Sequence, residues 1–349
     1  MGVTIMLRIK ARYGLRTFRL ISVILPAALA SGSQAHAQAQ IRGAGATFPA
    51  PIYTKWFAAY HASGGASVDY QAVGSGAGIN ALKNREVEFG ASDAPLSASE
   101  EAAMPQPVVH IPSVGGAVAL TYNLPGVPSG LKLSSDVISD IFLGKITSWA
   151  DRRITALNPG FKLPTKNIQP IHRTDGSGTT YIFTNYLKKA SPGWAAGPGA
   201  GKSVNWPVGL GGKGSQGVTA VLSRTPGSIA YVELAYAVSQ KLPYVAVRNK
   251  EGVFVLPSAE STTAAINEYI TELKRDIKTP TVDAKGKASY PICSLTYILL
   301  FRTGVKPEVV KLWRWAMQPA AQGQAAGLQY APLPQALLKL NEAALNGVH

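Results

Sequence analysis

The sequence predicts an α/β fold for this chain of 349 residues. Three observations carry that prediction. Short runs of β-branched and apolar residues alternate with stretches of helical periodicity. Gly/Ser/Thr-rich turns lead out of several of those runs straight into the helical stretches. No internal repeat of about 20–50 residues is visible, which sets aside solenoids and propellers. The length admits two domains of roughly 150 residues, each able to bury its own core.

Composition narrows the class further. Hydrophobic residues make up 46% and charged residues only 15%, against about 25% charged in an average domain. Gly (35) and Pro (24) are frequent enough to predict many turns without predicting disorder. A net charge of +15 favours anionic partners. The basic residues are scattered, with no stripe and no nucleic-acid motif beside them, so no nucleic-acid partner is expected. Cys293 is the single cysteine. It excludes an internal disulfide, a CxxC redox pair and a cysteine metal cluster.

The first segment reads as a sorting signal. Arg8, Lys10, Arg12, Arg16 and Arg19 precede the apolar run from Leu20 to Ala30, and Ala35-His-Ala37 follows as an A-x-A cleavage site. The run is shorter than the roughly 20 apolar residues of a membrane span. Residues 1–37 are therefore expected to be a signal peptide, leaving a soluble periplasmic chain from Gln38. A lipid anchor would need a cysteine at the new N-terminus, and Cys293 lies far downstream.

Beyond the signal the elements follow in order. Val68–Val73 alternates at period two as a strand and runs through Gly74-Ser-Gly-Ala-Gly78 into a helix near Ile79–Asn84. Val108–Ile111 and Val118–Tyr122 read as two further strands. Asp136–Leu143 places Val137, Ile138, Ile141 and Phe142 on one helical face, with Ser134 or Ser135 as its N-cap. Ile168–Arg173 is a strand ending at Asp175-Gly-Ser-Gly-Thr179, and the following helix carries Tyr181, Ile182, Tyr186 and Leu187. Residues 191–217, Gly/Pro-rich with two Trp, read as a long ordered loop. Ile266, Tyr269, Ile270 and Leu273 mark one amphipathic helix. Leu295–Phe301 is a late strand, followed by helices at Pro307–Met317 and Pro334–Leu345.

Three segments share one design: Gly43-Ala-Gly-Ala-Thr-Phe48, Gly74-Ser-Gly-Ala-Gly78 and Asp175-Gly-Ser-Gly-Thr-Thr180 each place a small, hydroxyl-bearing turn at the start of a helix. Unpaired N–H groups and a partial positive charge sit there, and glycine lets a ligand approach the backbone. Thr47, Ser75, Ser177 and Thr179 add hydroxyl donors. Each segment alone reads first as an N-cap and turn. Their joint presence in a basic chain raises the case for an oxyanion site. Arg173, at a strand end beside one of these turns, suits a carboxylate, phosphate or sulfate; its alternative is a surface arginine paired with Asp175. Asp93 reads first as an N-cap. Facing an anion, it helps only if the ligand keeps a proton to donate, which admits a protonated phosphate and rejects sulfate.

Other motifs fail on spacing. Gly197–Ser203 lacks the first glycine of a P-loop, because position 196 is Ala. Gly209–Gly214 does not fit the dinucleotide fingerprint. His36, His61, His110, His172 and His349 have no metal-ligand spacing, and no G-x-S-x-G elbow is present. No catalytic residue, metal or cofactor is expected.

Taken together, Gly43–Pro51, Phe89-Gly-Ala-Ser-Asp-Ala-Pro-Leu-Ser97, Arg173–Thr179 and Trp206-Pro-Val-Gly-Leu-Gly-Gly-Lys-Gly214 resemble the PstS family, the periplasmic phosphate-binding proteins of ABC-type phosphate importers. Leu143-Gly-Lys-Ile-Thr-Ser-Trp149 and Ile229-Ala-Tyr-Val-Glu233 are similar too, and the match runs in order over about residues 41–335. The resemblance implies a two-lobed periplasmic binding protein fold of type II-like kind, closing on one dehydrated phosphate. Residues 38–114 and 292–349 would form lobe one and 115–291 lobe two, hinged near Gly115–Gly116 and Ile292–Leu295.

The ligand set it implies is Thr47, Phe48 (through its N–H), Ser75 and Asp93 from one lobe, and Arg173, Ser177, Gly178 and Thr179 from the other. Asp93 would accept the ligand's proton and Arg173 would supply the opposite charge. Two departures stand out: Gly76 replaces the family's usual second serine, which points to a looser loop around Ser75, and Cys293 replaces a polar residue. The implied partners are inorganic phosphate and an inner-membrane ABC permease with a cytoplasmic ATPase, the chain itself a monomer. A carrier for sulfate or molybdate and a periplasmic phosphoryl-handling enzyme are the alternatives.

Overall fold

The computed structural model describes residues 40–349, so the expected signal segment lies outside the described residues. Eight strands form one sheet in the order β2-β1-β3-β11-β4-β8-β6-β7. At one end β1 (Gln40–Gly45) pairs in parallel with β2 (Ser67–Ala72) and β3 (Phe89–Ser92). At the other, β6 (Gln169–Arg173) pairs in parallel with β7 (Leu210–Gly212) and β8 (Ser228–Glu233). Two antiparallel strands, β4 (Val108–Tyr122) and β11 (Cys293–Phe301), run between these sets. The short strands β5 (Lys132–Leu133), β9 (Ala246–Arg248) and β10 (Phe254–Val255) make a small separate sheet.

Parallel neighbours need crossover connections, and helices supply them. Helices α1 (Ala50–Ala62) and α2 (Ser75–Lys83) connect β1, β2 and β3 in turn. Helix α3 (Ala98–Ala102) follows β3, while α4 (Ser135–Phe142) and α5 (Arg152–Thr155) lie between β5 and β6. Helices α6 (Gly178–Ala190), α7 (Pro192–Ala195) and α8 (Gly214–Arg224) link β6, β7 and β8, and α9 (Leu234–Ser239) leaves β8. Then come α10 (Ala259–Asn267) and α11 (Ile270–Arg275), and, after β11, α12 (Pro307–Ala316), α13 (Pro319–Gln322) and α14 (Gln335–Asn346). Their starts are written in the sequence. Ser97, Ser134, Ser177 and Ser258 cap α3, α4, α6 and α10 with their hydroxyls, and proline opens α7, α12 and α13.

Large aromatics fill the core at both ends of the sheet. Trp313 lies 5.4 Å from Tyr53, 5.9 Å from Phe57 and 5.1 Å from Phe89 between ring centroids. At the far end Phe183 stacks on Tyr231 at 4.5 Å, with Phe142 and Trp206 beside them. Cys293 is a buried core residue at the start of β11, as expected of a small hydrophobe.

Four sequence expectations change. The two strands expected at 108–111 and 118–122 are one, β4. Pro112 and the Gly115-Gly116 pair between them look like turn residues. Pro112 instead sits beside a register shift against β11, where its missing N–H is tolerated. Gly116 is glycine because a Cβ there would come within 2.4 Å of the Phe48 ring. The stretch 191–217 holds α7, β7 and the start of α8; β7 escapes sequence reading because two of its three residues are glycine. The helix expected through Ile266–Leu273 is two, α10 and α11, broken at Tyr269 (φ −104°, ψ 8°). Asp93 caps nothing: α3 begins five residues later, with Ser97 and Glu100 forming a capping box.

Candidate functional site

Every residue implied for the site stands at or just beyond the carboxyl end of a parallel strand, where open α/β sheets bind ligands. The Thr47–Phe48 turn follows β1. Ser75 is the first residue of α2 after β2, and Asp93 follows β3. Arg173 ends β6, Ser177 caps α6, and Gly178 and Thr179 are its first residues. Thr47, Phe48, Ser75, Asp93, Arg173, Ser177 and Thr179 are all buried.

Their contacts join the two ends of the sheet. The Gly178 N–H and the Asp93 N–H both donate to Ser75 Oγ, at 3.0 and 3.3 Å. A Cβ on Gly178 would fall 2.5 Å from Asp93 Oδ2, so the carboxylate and the α6 N-terminus face each other closely. Thr47 Oγ1 accepts from the Ser215 N–H at 3.2 Å and lies 2.9 Å from Ser215 Oγ. The Gly76 N–H donates to the Gly176 carbonyl at 2.8 Å, and an ideal Cβ at 76 would stand 3.3 Å from Gly176 Cα. The loop around Ser75 is thus held against its partner, not loosened, by the glycine at 76.

Arg173 is buried and anchored. Its Nε and Nη2 donate to the two carboxylate oxygens of Asp175 at 2.8 and 2.5 Å, and Nη1 reaches Thr179 Oγ1 at 3.3 Å. The pairing with Asp175 therefore exists, but inside the protein, and it leaves the other guanidinium donors free to meet an anion. Burial raises the Asp175 carboxyl, but the hydrogen bonds and charge of Arg173, helped by the Gly214 N–H, outweigh it and hold the group below the ordinary range. Asp93 goes the other way. Burial lifts it to about 7, opposed only by the Thr296 hydroxyl, which donates to Oδ1 at 2.8 Å, and by the charge of Arg173. Ser177 Oγ is used as an acceptor for the Thr180 N–H, which leaves its own O–H to donate.

Sequence reading missed Ser215, Thr296 and Tyr236. Ser215 follows the glycine turn 209–214 and opens α8, the same design as the three recognised turns, so the signal was present. Thr296 lies mid-strand in β11, and Tyr236 donates to the Thr47 carbonyl from α9 at 2.6 Å; nothing local marks either. Among the described residues no cluster of His, Cys, Asp and Glu could hold a metal ion, and no helix is long and apolar enough to cross a membrane.

The chain matches the PBP superfamily domain over residues 30–323. Phosphate-binding protein PstS of Pasteurella multocida is 43% identical over 314 residues, covering 88% of this chain and 90% of that protein. Its namesakes in Haemophilus influenzae and Methanocaldococcus jannaschii are 42% and 37% identical, each over 88% of this chain and over 92% and 85% of their own lengths. The chain belongs to the PstS family of phosphate-binding proteins. Among solved structures, a periplasmic phosphate-binding protein (PfluDING) bound with phosphate shares the fold, with a TM-score of 0.70 at 22% identity over 89% of this chain and 99% of that one. A phosphate-binding protein from Stenotrophomonas maltophilia does so with a TM-score of 0.66 at 20% identity, over 87% and 93%.

Proposed function

We propose that the chain is the exported solute-binding component of a phosphate importer. It captures one inorganic phosphate and delivers it to an inner-membrane ABC permease with a cytoplasmic ATPase. On this reading it is a carrier, not an enzyme, and works as a monomer in the periplasm after cleavage behind Ala37. Phosphate is held by the hydroxyls of Thr47, Ser75, Ser177 and Thr179, the Phe48 N–H, the Arg173 guanidinium and the Asp93 carboxylate, and by the Gly178 N–H, which exchanges its Ser75 Oγ acceptor for the ligand.

The observation that carries the ligand assignment is Asp93: a fully buried carboxyl, poised near neutrality, among anion-binding donors. A site for any oxyanion would gain nothing from it. Phosphate at neutral pH still carries a proton, so ligand and carboxyl can share one in a charge-assisted hydrogen bond. Sulfate has none to share, and its approach to the carboxylate in a dry site is repulsive by several kcal/mol. Arg173 neutralises the rest of the ligand's charge, and Asp175 fixes the direction of its fork.

Two lobes suit capture and release: 38–114 with 292–349, and 115–291, hinged near Gly115–Gly116 and Ile292–Leu295. In support, β4 changes partner between Ala117, which pairs with β11, and Val118, which pairs with β8. Helices α10 and α11 nevertheless pack against the first lobe's side, with Ile266 and Leu273 in one cluster with Leu295 and Leu337. Calorimetric titration with phosphate, after unfolding and refolding to strip bound ligand, tests the assignment. Tight one-to-one phosphate binding without sulfate heat is the expected result; well-folded protein that binds no phosphate overturns it.

A further inference from the structure

We infer that Tyr236 is a positioning residue for the anion site: its hydroxyl holds the Thr47 carbonyl and thereby aims the Phe48 N–H at the ligand. The inference rests on the phosphate reading above and adds to it a residue that does not itself touch the ligand.

The argument starts from the peptide bond. Thr47 C=O and Phe48 N–H belong to one planar unit, and no described peptide bond is cis. In a trans unit the two groups point in opposite directions, so whatever fixes the carbonyl fixes the N–H. Tyr236 Oη donates to Thr47 O at 2.6 Å. The same carbonyl also receives a weaker bond from Ala50 N–H at 3.3 Å, which closes the turn into α1. The Phe48 N–H donates to no acceptor among the described residues, although Phe48 is completely buried. A buried donor of this kind is costly unless a partner meets it.

The phenol is set up to donate. It is buried, and Gln216 Nε2 approaches its oxygen at 3.4 Å, which directs the phenol proton towards Thr47. Burial, and then the charge of Glu233, push its titration well above the physiological range, against the opposing charge of Arg173. It therefore remains a donor wherever the protein is folded.

A neighbouring contact shows what is particular about this one. Tyr330 Oη holds the next carbonyl, Phe48 O, at 2.6 Å. That carbonyl belongs to the Phe48–Pro49 peptide, which has no N–H to aim. Tyr330 fixes the chain; Tyr236 orients a donor. Tyr236 also reaches Thr47 from the opposite end of the sheet, since it follows β8 whereas Thr47 follows β1. Ser215, which also belongs to that far end, holds the Thr47 side chain. The Phe48 donor is thus correctly aimed only while the two ends are together, which couples ligand binding to closure.

Tyr236→Phe, which keeps the ring and removes the hydroxyl, tests this by phosphate titration and by amide spectra of ¹⁵N-phenylalanine-labelled protein. The expected result is phosphate affinity lowered about tenfold, an unchanged melting temperature without ligand, and loss of the phosphate-induced downfield shift of the Phe48 amide. Affinity within about twofold of the parent, or weakened affinity with the Phe48 shift intact, overturns the positioning role. If the parent protein binds no phosphate at all, the functional reading falls first and this inference with it.

Discussion

On the proposed reading, one side chain, Asp93, connects selectivity with stability. Burial raises its carboxyl from 3.8 to about 7. The ligand-free protein therefore has this group's full contribution to stability below pH 4 and loses it as pH rises towards 7. His110 works across nearly the same window with the opposite sign. Burial, helped by the charge of Lys278, lowers its imidazole from 6.5 to about 4, and its Nε2 accepts the Leu96 N–H at 3.1 Å. Its contribution is lost as pH falls from 6.5 to about 4. Asp93→Asn should remove the component of stability that falls as pH rises from about 4 to about 7. In urea titrations of the ligand-free protein the variant should therefore gain on the parent as pH rises across that window, while the His110 component, which rises with pH, remains. It should also reduce discrimination between phosphate and sulfate by at least about tenfold, because the amide neither repels sulfate nor requires a shared proton. A variant as selective as the parent would place the discrimination elsewhere.

Among the elements, the packing of α2 on β1 decides how Ser75 reaches the site. Gly78 lies so close to β1 that a Cβ on it would stand 2.3 Å from Gly45 Cα and 2.6 Å from the Ala44 carbonyl. Backbone cannot yield as a flexible side chain can, so Gly78→Ala should cost about 3 kcal/mol or more in chemical denaturation. A cost under about 1 kcal/mol would mean that α2 shifts freely. Helix α3 makes a second, gentler connection. Its Glu100 accepts Lys202 Nζ at 2.6 Å, and the Lys202 carbonyl accepts the Ser177 N–H at 2.9 Å. One residue thus links the α6 turn to the other end of the sheet. Both side chains are partly exposed, so the pair contributes about 0.2–1 kcal/mol and is screened by salt. Lys202→Ala should speed phosphate release about two- to fivefold in stopped-flow experiments, with a weaker dependence on ionic strength. Release that keeps the parent's rate and salt dependence would show that the bridge does not hold the cleft.

For the whole molecule, strand β4 is the feature on which motion would turn. It pairs with β11 through Ala117 and with β8 from Val118 onward, so a bend at that change of partner would separate the Thr47–Ser75–Asp93 group from the Arg173–Thr179 group. Apart from the packing of α10 and α11, the contacts between the two proposed lobes among the described residues are a few hydrogen bonds and two surface ion pairs, Lys202–Glu100 and Lys278–Glu101, each worth about 1 kcal/mol. Removing phosphate should therefore open the molecule and raise its radius of gyration in X-ray scattering, as hinge closure around a ligand requires. Superimposable profiles with and without phosphate would rule out a hinge of this kind.

The sequence by itself determined the α/β class, the positions of the glycine- and hydroxyl-rich turns and, through motifs in a fixed order, the family. These signals are local. A glycine-serine turn after a β run and a hydroxyl at a helix start act through the backbone next to them, so they survive in one dimension. The continuity of β4 through Pro112 and Gly115-Gly116, the break at Tyr269 and the burial of the Arg173–Asp175 pair were decided only in three dimensions. So were the roles of Thr296 and Tyr236, each brought to the site by strands or helices distant in the chain. Thr296 reaches Asp93 across 203 residues and Tyr236 reaches Thr47 across 189. A hydroxyl in mid-strand or on a short helix has no local pattern that says which carbonyl or carboxylate it will meet. That depends on sheet order, and sheet order is set by which apolar faces bury together.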